Sequence, residues 1–479
     1  MILDDKDLRS IQQVRNLIDK ADKAQKQFKE FSQEEVDIII KAMAESGEKH
    51  AEKLAEMAVE ETGFGKYEDK IVKNLFASKA VYQHIKDMKT VGIIREDKKE
   101  KMIEIASPVG IIAALIPSTN PTSTTIFKSL CALKAGNAII FSPHPSVVTC
   151  INKAVEVMNE AAVSVGAPEG LISSMALPTM EGSLELMSHK KISLILATGG
   201  SEMIKAAYSS GTPALGVGPG NVPAFIEKSA DIHMAVKRII DSKTFDNGTI
   251  CASEQAVITE NCIQKKVKEE FIRQGGYFAT GEEIEKLAVI IQNPWGGLNP
   301  KIVGQTAKKI AEMAGINLPE SIKVILCEEK GVGKAYPFSM EKLSPILAFY
   351  TRDNWQEACE LCIDLLNYGG LGHSLVIHSE NEKVIQEFAF KKPVFRILVN
   401  TPSSQGAIGA TTSLTPSLTL GSGGIGGSAT SDNVSPIHLM NVKRLVYGLK
   451  EAEELKPKNN IDVNRITELV LEELKKLNF

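Results

Sequence analysis

Short, almost wholly apolar segments alternate with helical segments between residues 101 and 209, and this alternation restricts the possible folds more than any other feature. Strands that are buried on both faces carry such unbroken apolar runs, and helices that cross between them make the strands parallel. The pattern therefore predicts a doubly wound, Rossmann-like domain. Strands are predicted at 101–106, 111–116, 138–141, 171–176 and 192–197, and helices at 124–134, 146–165, 183–189 and 202–209.

The flanking regions extend this α/β pattern. Residues 1–90 have helical patterns, and Ser32 with Glu35 has the spacing of a capping box. After a helix predicted at 231–242, a second α/β pattern begins near Ser242. The strands predicted in this second part are 254–258, 322–326, 346–350 and 374–377.

The C-terminal region departs from the α/β pattern. Residues 403–431 are rich in Gly, Ser and Thr, which is typical of a linker or a functional loop. Residues 451–460 form a charged, Pro-containing linker. From Asp462, a suitable N-cap, apolar residues at helical spacing predict a short amphipathic helix to Phe479. This pattern suits a helix that packs on its own subunit as well as one that docks on a partner protein.

Composition excludes several classes of function. The 479 residues are 43% hydrophobic and carry a net charge of −4, so neither nucleic acid nor a membrane is expected as a partner. The N-terminus lacks a secretion signal and the seven cysteines form no disulfide framework, so we expect a cytoplasmic protein. Cys359 and Cys362 share one face of a helical pattern. Because no second Cys or His pair accompanies them, no metal is predicted.

One cysteine, Cys251, lies in a polar turn between a predicted helix and a predicted strand. Asp246, Asn247 and Gly248 favour the turn, and a buried strand includes Ala256. A cysteine held in such a turn can face a cleft while its backbone stays fixed, which suits a thiolate nucleophile. The alternative is a buried structural cysteine.

The segment around this cysteine, NGTICASEQ, resembles the nucleophile segment of the aldehyde dehydrogenase superfamily, in particular its coenzyme-A-acylating branch. The resemblance extends from about Phe28 to Gly448. The chain resembles in particular the aldehyde dehydrogenase half of bifunctional aldehyde-alcohol dehydrogenases and the acylating aldehyde dehydrogenases of microcompartments. The motifs that carry it are IPSTNPTS (116–123), KAGNAIIFSPHP (134–145), LATGGSEMIKAAYSSG (196–211), GVGPGNVP (216–223), EKLSPIL (341–347), RILVNTPSSQG (396–406) and PSLTLG (416–421).

The resemblance implies an aldehyde dehydrogenase-like α/β fold with two Rossmann-like domains and a small oligomerisation β-arm. The implied divisions are a cofactor-binding domain at 1–241 with an oligomerisation strand near 98–108, a catalytic domain at 242–428, a return segment to the cofactor domain and arm at 429–450, and a linker with the C-terminal helix at 451–479.

The resemblance also implies catalytic roles. Cys251 attacks the aldehyde, while the Asn120 amide and the backbone N–H of Cys251 stabilise the resulting oxyanion. The alternative for Asn120 is a turn residue before Pro121. His373 matches a histidine of acylating relatives that could deprotonate coenzyme A or contact its phosphates, and a structural histidine is the alternative.

Cofactor binding is implied at the ends of the predicted strands. Thr198, Gly199 and Gly200 open a helix whose N–H groups can face a pyrophosphate, and Glu341 matches the residue that holds the nicotinamide ribose. By contrast, the run Gly421–Gly426 matches a dinucleotide fingerprint in spacing only, because no strand leads into it. The residues assigned to the cofactor are Ile116, Pro117, Ser118, Thr119, Ser142, Pro143, His144, Thr198, Gly199, Gly200, Gly218 and Glu341.

Two departures from the hydrolytic relatives indicate the reaction. Val217 stands where those enzymes carry the glutamate that activates water, so the acyl-Cys251 thioester should survive for transfer to coenzyme A. Ser142 and Pro145 replace a lysine and a glutamate near the adenosine ribose, which leaves NADP open beside NAD. The predicted reaction is aldehyde plus coenzyme A plus NAD(P)+ to acyl-CoA plus NAD(P)H.

Substrate and partners are predicted more coarsely. The favoured substrates are acetaldehyde and propionaldehyde, and sulfoacetaldehyde and succinate semialdehyde rank behind them. An acyl-phosphate reductase and a non-catalytic scaffold are the alternative functions. We expect a homodimer or a dimer of dimers. The C-terminal helix resembles peptides that target enzymes to the shell proteins of bacterial microcompartments.

Overall fold

The computed structural model describes residues 5–293, 295–452 and 462–477, and these divide into two compact units. The first unit comprises Met1–Gly92 and Ala106–Asn441, and the second comprises Ile93–Ile105 and Val442–Phe479. No helix within the described ranges is both long enough and apolar enough to cross a membrane.

The helices occupy both the N-terminal region and the crossovers between strands. The predicted capping box is confirmed, because Ser32 N–H donates to Glu35 Oε2 at 2.7 Å and Glu35 N–H donates to Ser32 Oγ at 3.3 Å. The helices are α1 Lys6–Phe28, α2 Gln33–Lys49, α3 Ala51–Thr62, α4 Tyr67–Leu75, α5 Val81–Ile85, α6 Pro121–Lys134, α7 Val148–Ser164, α8 Met180–Ser188, α9 Ser201–Ser209, α10 Ile232–Thr244, α11 Gln264–Arg273, α12 Gly281–Ile291, α13 Ala307–Met313, α14 Trp355–Gly369, α15 Glu382–Lys391, α16 Ser403–Ala407 and α17 Val463–Lys476.

The strands form three sheets. The sequence patterns did not predict the strands at 92–97, 214–217, 222–226, 276–278, 394–399 and 440–446. The strands are β1 Gly92–Asp97, β2 Met102–Pro108, β3 Ile111–Ile116, β4 Ala138–Pro143, β5 Ile172–Ser174, β6 Ile192–Thr198, β7 Ala214–Val217, β8 Val222–Ile226, β9 Glu254–Glu260, β10 Gly276–Phe278, β11 Val324–Glu328, β12 Ile346–Arg352, β13 Gly372–His378, β14 Val394–Val399 and β15 Met440–Val446.

A five-stranded parallel sheet has the order β5-β4-β3-β6-β7. All residues of β3 and β4 are buried, which explains their unbroken apolar sequences. The strand order reverses between β3 and β6, where Leu115 pairs with Ala197. Open α/β sheets bind ligands at such a reversal, outside the carboxyl ends of the strands. The predicted doubly wound arrangement is thereby confirmed.

A seven-stranded parallel sheet has the order β10-β11-β12-β9-β8-β13-β14. Two apolar clusters cover its faces, because Val257 of β9 packs in one cluster and its neighbours Ala256 and Ile258 pack in the other. The predicted division at residues 241 and 242 remains a prediction, and β8 already belongs to this second sheet.

The three-stranded sheet has the order β1-β2-β15. Its strand β2 matches the strand predicted near 98–108, and β15 falls within the predicted return segment 429–450. Arg444 Nε donates to Glu104 Oε1 at 3.1 Å within the second unit. The predicted C-terminal helix is present as α17, where the Asp462 side chain accepts from Arg465 N–H at 3.1 Å.

Candidate active site

A cavity of about 620 Å³ lies within the first unit, where the carboxyl edge of the five-stranded sheet meets the amino edge of the seven-stranded sheet. Cys251, Asn120 and every residue assigned to the cofactor line it. Those cofactor residues are Ile116, Pro117, Ser118, Thr119, Ser142, Pro143, His144, Thr198, Gly199, Gly200, Gly218 and Glu341. The structure thus brings together side chains from six separated motifs.

Cys251 is held by a strained turn before β9. Asp246 and Asn247 have φ values of 48° and 52°, a left-handed conformation that Asp and Asn tolerate better than most residues. Asn247 Nδ2 donates to the Gly304 carbonyl at 2.9 Å and fixes this conformation. The neighbouring side chains of Ile250 and Ala252 are buried, so the backbone on either side of the cysteine is anchored.

His373 contacts the cysteine. Its Nε2 lies 3.3 Å from Cys251 Sγ, and its Nδ1 lies 3.0 Å from Ser374 Oγ. Arg396 Nε donates to the same serine oxygen at 3.2 Å. The tautomer that carries its proton on Nδ1 donates to Ser374 and leaves the Nε2 lone pair facing the thiol. This tautomer can accept the proton of Cys251.

Burial keeps both partners of this contact neutral. The pKa of Cys251 is raised to about 12, mainly by burial and to a smaller extent by the charge of Glu341, while Arg396 opposes this shift. Burial and the charge of Arg396 lower the pKa of His373 to about 3. A low-dielectric site disfavours the charged form of each group, so the resting pair is a thiol and a neutral imidazole.

The Asn120 side chain is oriented by a buried lysine. Lys73 Nζ donates to Asn120 Oδ1 at 2.6 Å, which leaves the amide N–H groups to donate to the Thr249 carbonyl at 3.1 Å and to Thr119 Oγ1 at 3.2 Å. Because a lysine ammonium is only a donor, its contact fixes which end of the amide faces the Cys251 turn.

Lys73 is itself part of a buried charge cluster. Its Nζ donates to Asp246 Oδ2, to which Lys70 Nζ also donates at 3.0 Å. Burial lowers the pKa of Lys73 to about 8, although Asp246 opposes that shift. Burial would raise the pKa of Asp246, but the two lysines outweigh it and lower that pKa. The cluster ties α4 to the turn that holds the cysteine.

Glu341 and Gly220 close the site beside the thiol. Gly220 N–H donates to Glu341 Oε1 at 3.0 Å, and burial raises the pKa of Glu341 to about 7. A Cβ atom on Gly220 would lie 2.2 Å from the Cys251 carbonyl oxygen, so only glycine allows this close approach.

The predicted pyrophosphate-binding segment lies at the reversal of strand order. Thr198, Gly199 and Gly200 join β6 to α9, and no side chain caps the N-terminus of this helix. A Cβ atom on Gly200 or on Gly218 would meet no atom within 4 Å. Free N–H groups beside open space suit a phosphate group.

Segment 403–431, predicted as a linker or a functional loop, contributes to the cavity. Ile408, Leu418 and Leu420 line it. The run Gly421–Gly426 forms a turn in which Gly423 N–H donates to the Thr430 carbonyl at 2.8 Å. The functional-loop alternative fits this placement.

Sequence reasoning missed four residues of the site: Lys73, Ser374, Arg396 and Gly220. Lys73 sits in the pattern YEDKIVKN, which looks like an exposed helix. The other three could have been found from the sequence, because they belong to or adjoin segments that resemble the family. Gly220 lies in GVGPGNVP, Arg396 opens RILVNTPSSQG, and Ser374 follows His373.

Comparison with known proteins gives consistent matches. Residues 7–290 match the model of the aldehyde dehydrogenase family. The chain is 46% identical over 452 residues to the bifunctional aldehyde-alcohol dehydrogenase AdhE of Escherichia coli K12, with 93% of this chain and 50% of that protein covered. The chain therefore spans about half the length of this curated relative.

Three solved structures share the fold over nearly their whole length. An acetylating aldehyde dehydrogenase from Geobacillus thermoglucosidasius has a TM-score of 0.93 and 55% identity, covering 95% of this chain and 100% of that one. A propionaldehyde dehydrogenase from a Clostridium phytofermentans fucose utilisation bacterial microcompartment has a TM-score of 0.83 and 32% identity, covering 92% and 98%. The Rhodopseudomonas palustris propionaldehyde dehydrogenase with bound propionyl-CoA has a TM-score of 0.83 and 28% identity, covering 91% and 94%.

Proposed function

The chain belongs to the aldehyde dehydrogenase family, and on this premise we propose that it oxidises a short aldehyde and passes the acyl group from Cys251 to coenzyme A. The net reaction is aldehyde plus coenzyme A plus NAD(P)+ to acyl-CoA plus NAD(P)H plus a proton. Structural relatives that are acetylating or that hold propionyl-CoA support coenzyme A as the acceptor.

The observation that carries this proposal is the composition of the cavity wall. Val217 lines the cavity where hydrolytic relatives carry a glutamate. Among the described residues of the wall Glu341 is the one carboxylate, and one of its oxygens accepts from Gly220 N–H. With a valine at the position where hydrolytic relatives carry the water-activating glutamate, an acyl thioester persists until a thiol attacks it.

Proton transfer and oxyanion stabilisation are assigned to different residues of the site. His373 Nε2 takes the proton of Cys251 as the sulfur attacks the aldehyde carbon. The developing oxyanion replaces the Thr249 carbonyl as the acceptor of an Asn120 N–H, and the Cys251 N–H is the second donor. Once that proton has left to solvent, the same imidazole can receive the proton of the incoming coenzyme A thiol and return it to the departing Cys251 thiolate.

The nicotinamide cofactor fits the residues at the reversal of strand order. When bound, it supplies the acceptor for the hydride that leaves the aldehyde carbon. Thr198–Gly200 would hold the pyrophosphate, Ser142–His144 the adenosine ribose, and Glu341 the nicotinamide ribose. No atom lies within 4 Å of a Cβ placed on Gly200 or Gly218, which supports close approach of a phosphate to the backbone there.

The substrate is a short, uncharged aldehyde, with acetaldehyde or propionaldehyde the leading candidates. No Lys or Arg occurs among the described residues that line the cavity. The carboxylate of succinate semialdehyde and the sulfonate of sulfoacetaldehyde would therefore enter without a cationic partner, which is costly in a buried site.

An aldehyde panel assayed with and without coenzyme A tests the proposal. Without coenzyme A, NADH formation should stop after about one equivalent per site, because the thioester accumulates. Cys251→Ala should abolish even this burst and retain cofactor binding. Sustained production of carboxylic acid without coenzyme A would contradict the proposal. Turnover that depends on phosphate would support an acyl-phosphate reductase instead.

We further propose two assembly roles for the second unit. Exposed apolar residues on its sheet and just beyond it, Ile93, Leu445, Val446 and Tyr447, suit an arm that joins subunits into a homodimer or a dimer of dimers. Sedimentation of the purified protein tests this. Helix α17, none of whose side chains is buried, is proposed to dock on a microcompartment shell protein, which would place a cytoplasmic enzyme inside the compartment.

A further inference from the structure

A buried lysine and a buried cysteine meet between α14 and the end of α15. Cys359 lies in the second turn of α14, and Lys392 follows the last residue of α15. Their exposed fractions are 1% and 6%. Neither residue lines the cavity, and the chemistry proposed above uses neither of them.

The contact between them is too short for a hydrogen bond to sulfur. Lys392 Nζ lies 2.6 Å from Cys359 Sγ, the same distance as from the Cys359 carbonyl oxygen. Sulfur is much larger than oxygen, and even N–H···O bonds are usually about 2.9 Å. The other hydrogen bonds to cysteine sulfur among the described residues are longer, at 3.3 Å for Cys251 with His373 and 3.6 Å for Cys150 with Val147.

The surroundings leave the lysine without a countercharge. Besides the two Cys359 atoms, Lys392 Nζ contacts only the Phe388 ring, 4.2 Å from its centroid, among the described residues. A buried ammonium without a carboxylate costs free energy. A covalent link that leaves the nitrogen uncharged would remove this cost and would account for a nitrogen–sulfur separation that one bridging atom can span.

We propose that Cys359 and Lys392 form a reversible N–O–S bridge, a covalent redox link between α14 and the end of α15. The thiol and the amine together lose two hydrogen atoms and gain one oxygen atom, which is a four-electron oxidation. Dioxygen is the oxidant: one of its oxygen atoms becomes the bridge and the other leaves as water. Two equivalents of a dithiol reverse the reaction, regenerating the thiol and the amine and releasing the bridging oxygen as water.

The bridge would close a loop around part of the site. The two residues are 33 positions apart, and β13 with His373 lies between them in sequence. Cross-linking restricts the unfolded chain more than the folded one, so the oxidised protein should melt at a higher temperature than the reduced protein.

Peptide mass spectrometry of the full-length protein tests the bridge directly. Trypsin leaves Cys359 in residues 353–383 and Lys392 in residues 392–396, because Pro393 blocks cleavage after Lys392. Protein handled in air should yield these two peptides as one species, heavier than their sum by one oxygen atom less two hydrogen atoms. Treatment with dithiothreitol should separate them. The result is independent of the proposed enzymatic activity, since no catalytic readout enters it.

Matched variants distinguish this bridge from other cysteine oxidation. Cys359→Ser and Lys392→Arg should each abolish the cross-linked species and the difference in melting temperature between air-oxidised and reduced protein. Cys362→Ala, which removes the other buried thiol of the same helix, should preserve both. Two results with the wild-type protein would overturn the proposal: equal alkylation of Cys359 before and after reduction, or a disulfide between Cys359 and Cys362. Because both are measured on the wild type, they decide the question even if a variant fails to fold.

Discussion

The Asn120 amide shows how one buried contact sets the chemistry of a neighbouring residue. An amide can present either its oxygen or its nitrogen to a substrate, and only the nitrogen stabilises an oxyanion. Lys73 engages the oxygen at 2.6 Å, so the N–H groups face the turn of Cys251. The lysine therefore acts through Asn120 as a positioning residue.

Lys73→Met should lower kcat/KM by about 10² to 10³-fold, the usual cost of losing an oxyanion donor, because the amide is then free to turn. Adding Asn120→Ala should cost little more, since the two residues act as one unit. Steady-state kinetics of the two single variants and the double variant measure this.

Lys70→Met is the matched control for this prediction. Lys70 donates to the same Asp246 carboxylate and to the Thr119 carbonyl, but among the described contacts it makes no hydrogen bond to the Asn120 side chain. It should lower thermal stability much as Lys73→Met does while retaining most of the activity. Equal losses of activity in the two variants would show that Lys73 contributes only to stability.

The exposed residue Pro145 offers a test of cofactor choice. It lines the cavity just after β4, where hydrolytic relatives carry a glutamate. Pro145→Glu should reduce kcat/KM with NADP relative to NAD by at least about tenfold, because a carboxylate binds the ribose hydroxyls and repels the 2′-phosphate. Pro145→Gln keeps the shape without the charge and should change the ratio much less. An unchanged ratio in both would place the adenosine ribose elsewhere.

At the scale of elements, α17 stands apart because its apolar residues remain in solvent. Ile466, Leu469, Val470 and Leu474 are each about half exposed. A short helix with one apolar face is marginal alone in water and gains stability when that face is covered. The preceding linker at 453–461 lies outside the described residues.

Truncation after Gly448 should leave catalysis intact and abolish co-purification with shells, whereas a fluorescent protein fused to residues 456–479 should enter them. Leu469→Lys in the fusion should prevent entry because it places a charge on the docking face. Glu472→Lys, on the polar face, is the control. A fusion that stays diffuse in cells with shells, or a truncation that unfolds the enzyme, would instead indicate a structural tail.

At the scale of the whole molecule, buried histidines make stability depend on pH. Burial lowers the pKa of His378 to about 3, with a smaller effect of Arg238. Both of its ring nitrogens lack partners among the described residues. Between its ordinary pKa of 6.5 and the folded value, the unfolded chain binds a proton that the folded chain excludes. Stability should therefore fall as the pH drops through this window.

His378→Leu should remove part of this acid sensitivity. At pH 4.5 the histidine should destabilise the fold by about 2 to 3 kcal/mol relative to pH 7.5, and leucine does not titrate. Urea unfolding at the two pH values should show a smaller loss for the variant than for the wild type. An identical loss would mean that His378 gains a proton in the folded state without cost. His373 should behave similarly, since burial also lowers its pKa to about 3.

The sequence by itself determined the strands that are buried on both faces and singled out the segment of the proposed nucleophile. Strand β3 has the predicted bounds, because a strand covered on both faces must be apolar at every position. The motifs around Cys251 and Thr198–Gly200 could be recognised in the sequence because the roles proposed for them depend on local backbone geometry. Helix α17 and its Asp462 cap could be predicted for the same reason.

Only the tertiary structure decided which motifs meet. Strand order placed the amino edge of one sheet against the carboxyl edge of the other, so Cys251 and His373 touch although 122 positions separate them. Strand β10 was missed because it begins with a glycine and contains no run of aliphatic residues. Lys73 looked like a solvated helical lysine, and Lys392 like an ordinary surface charge. Burial of such groups results from contacts between distant segments, and a local pattern records spacing along the chain but not those contacts.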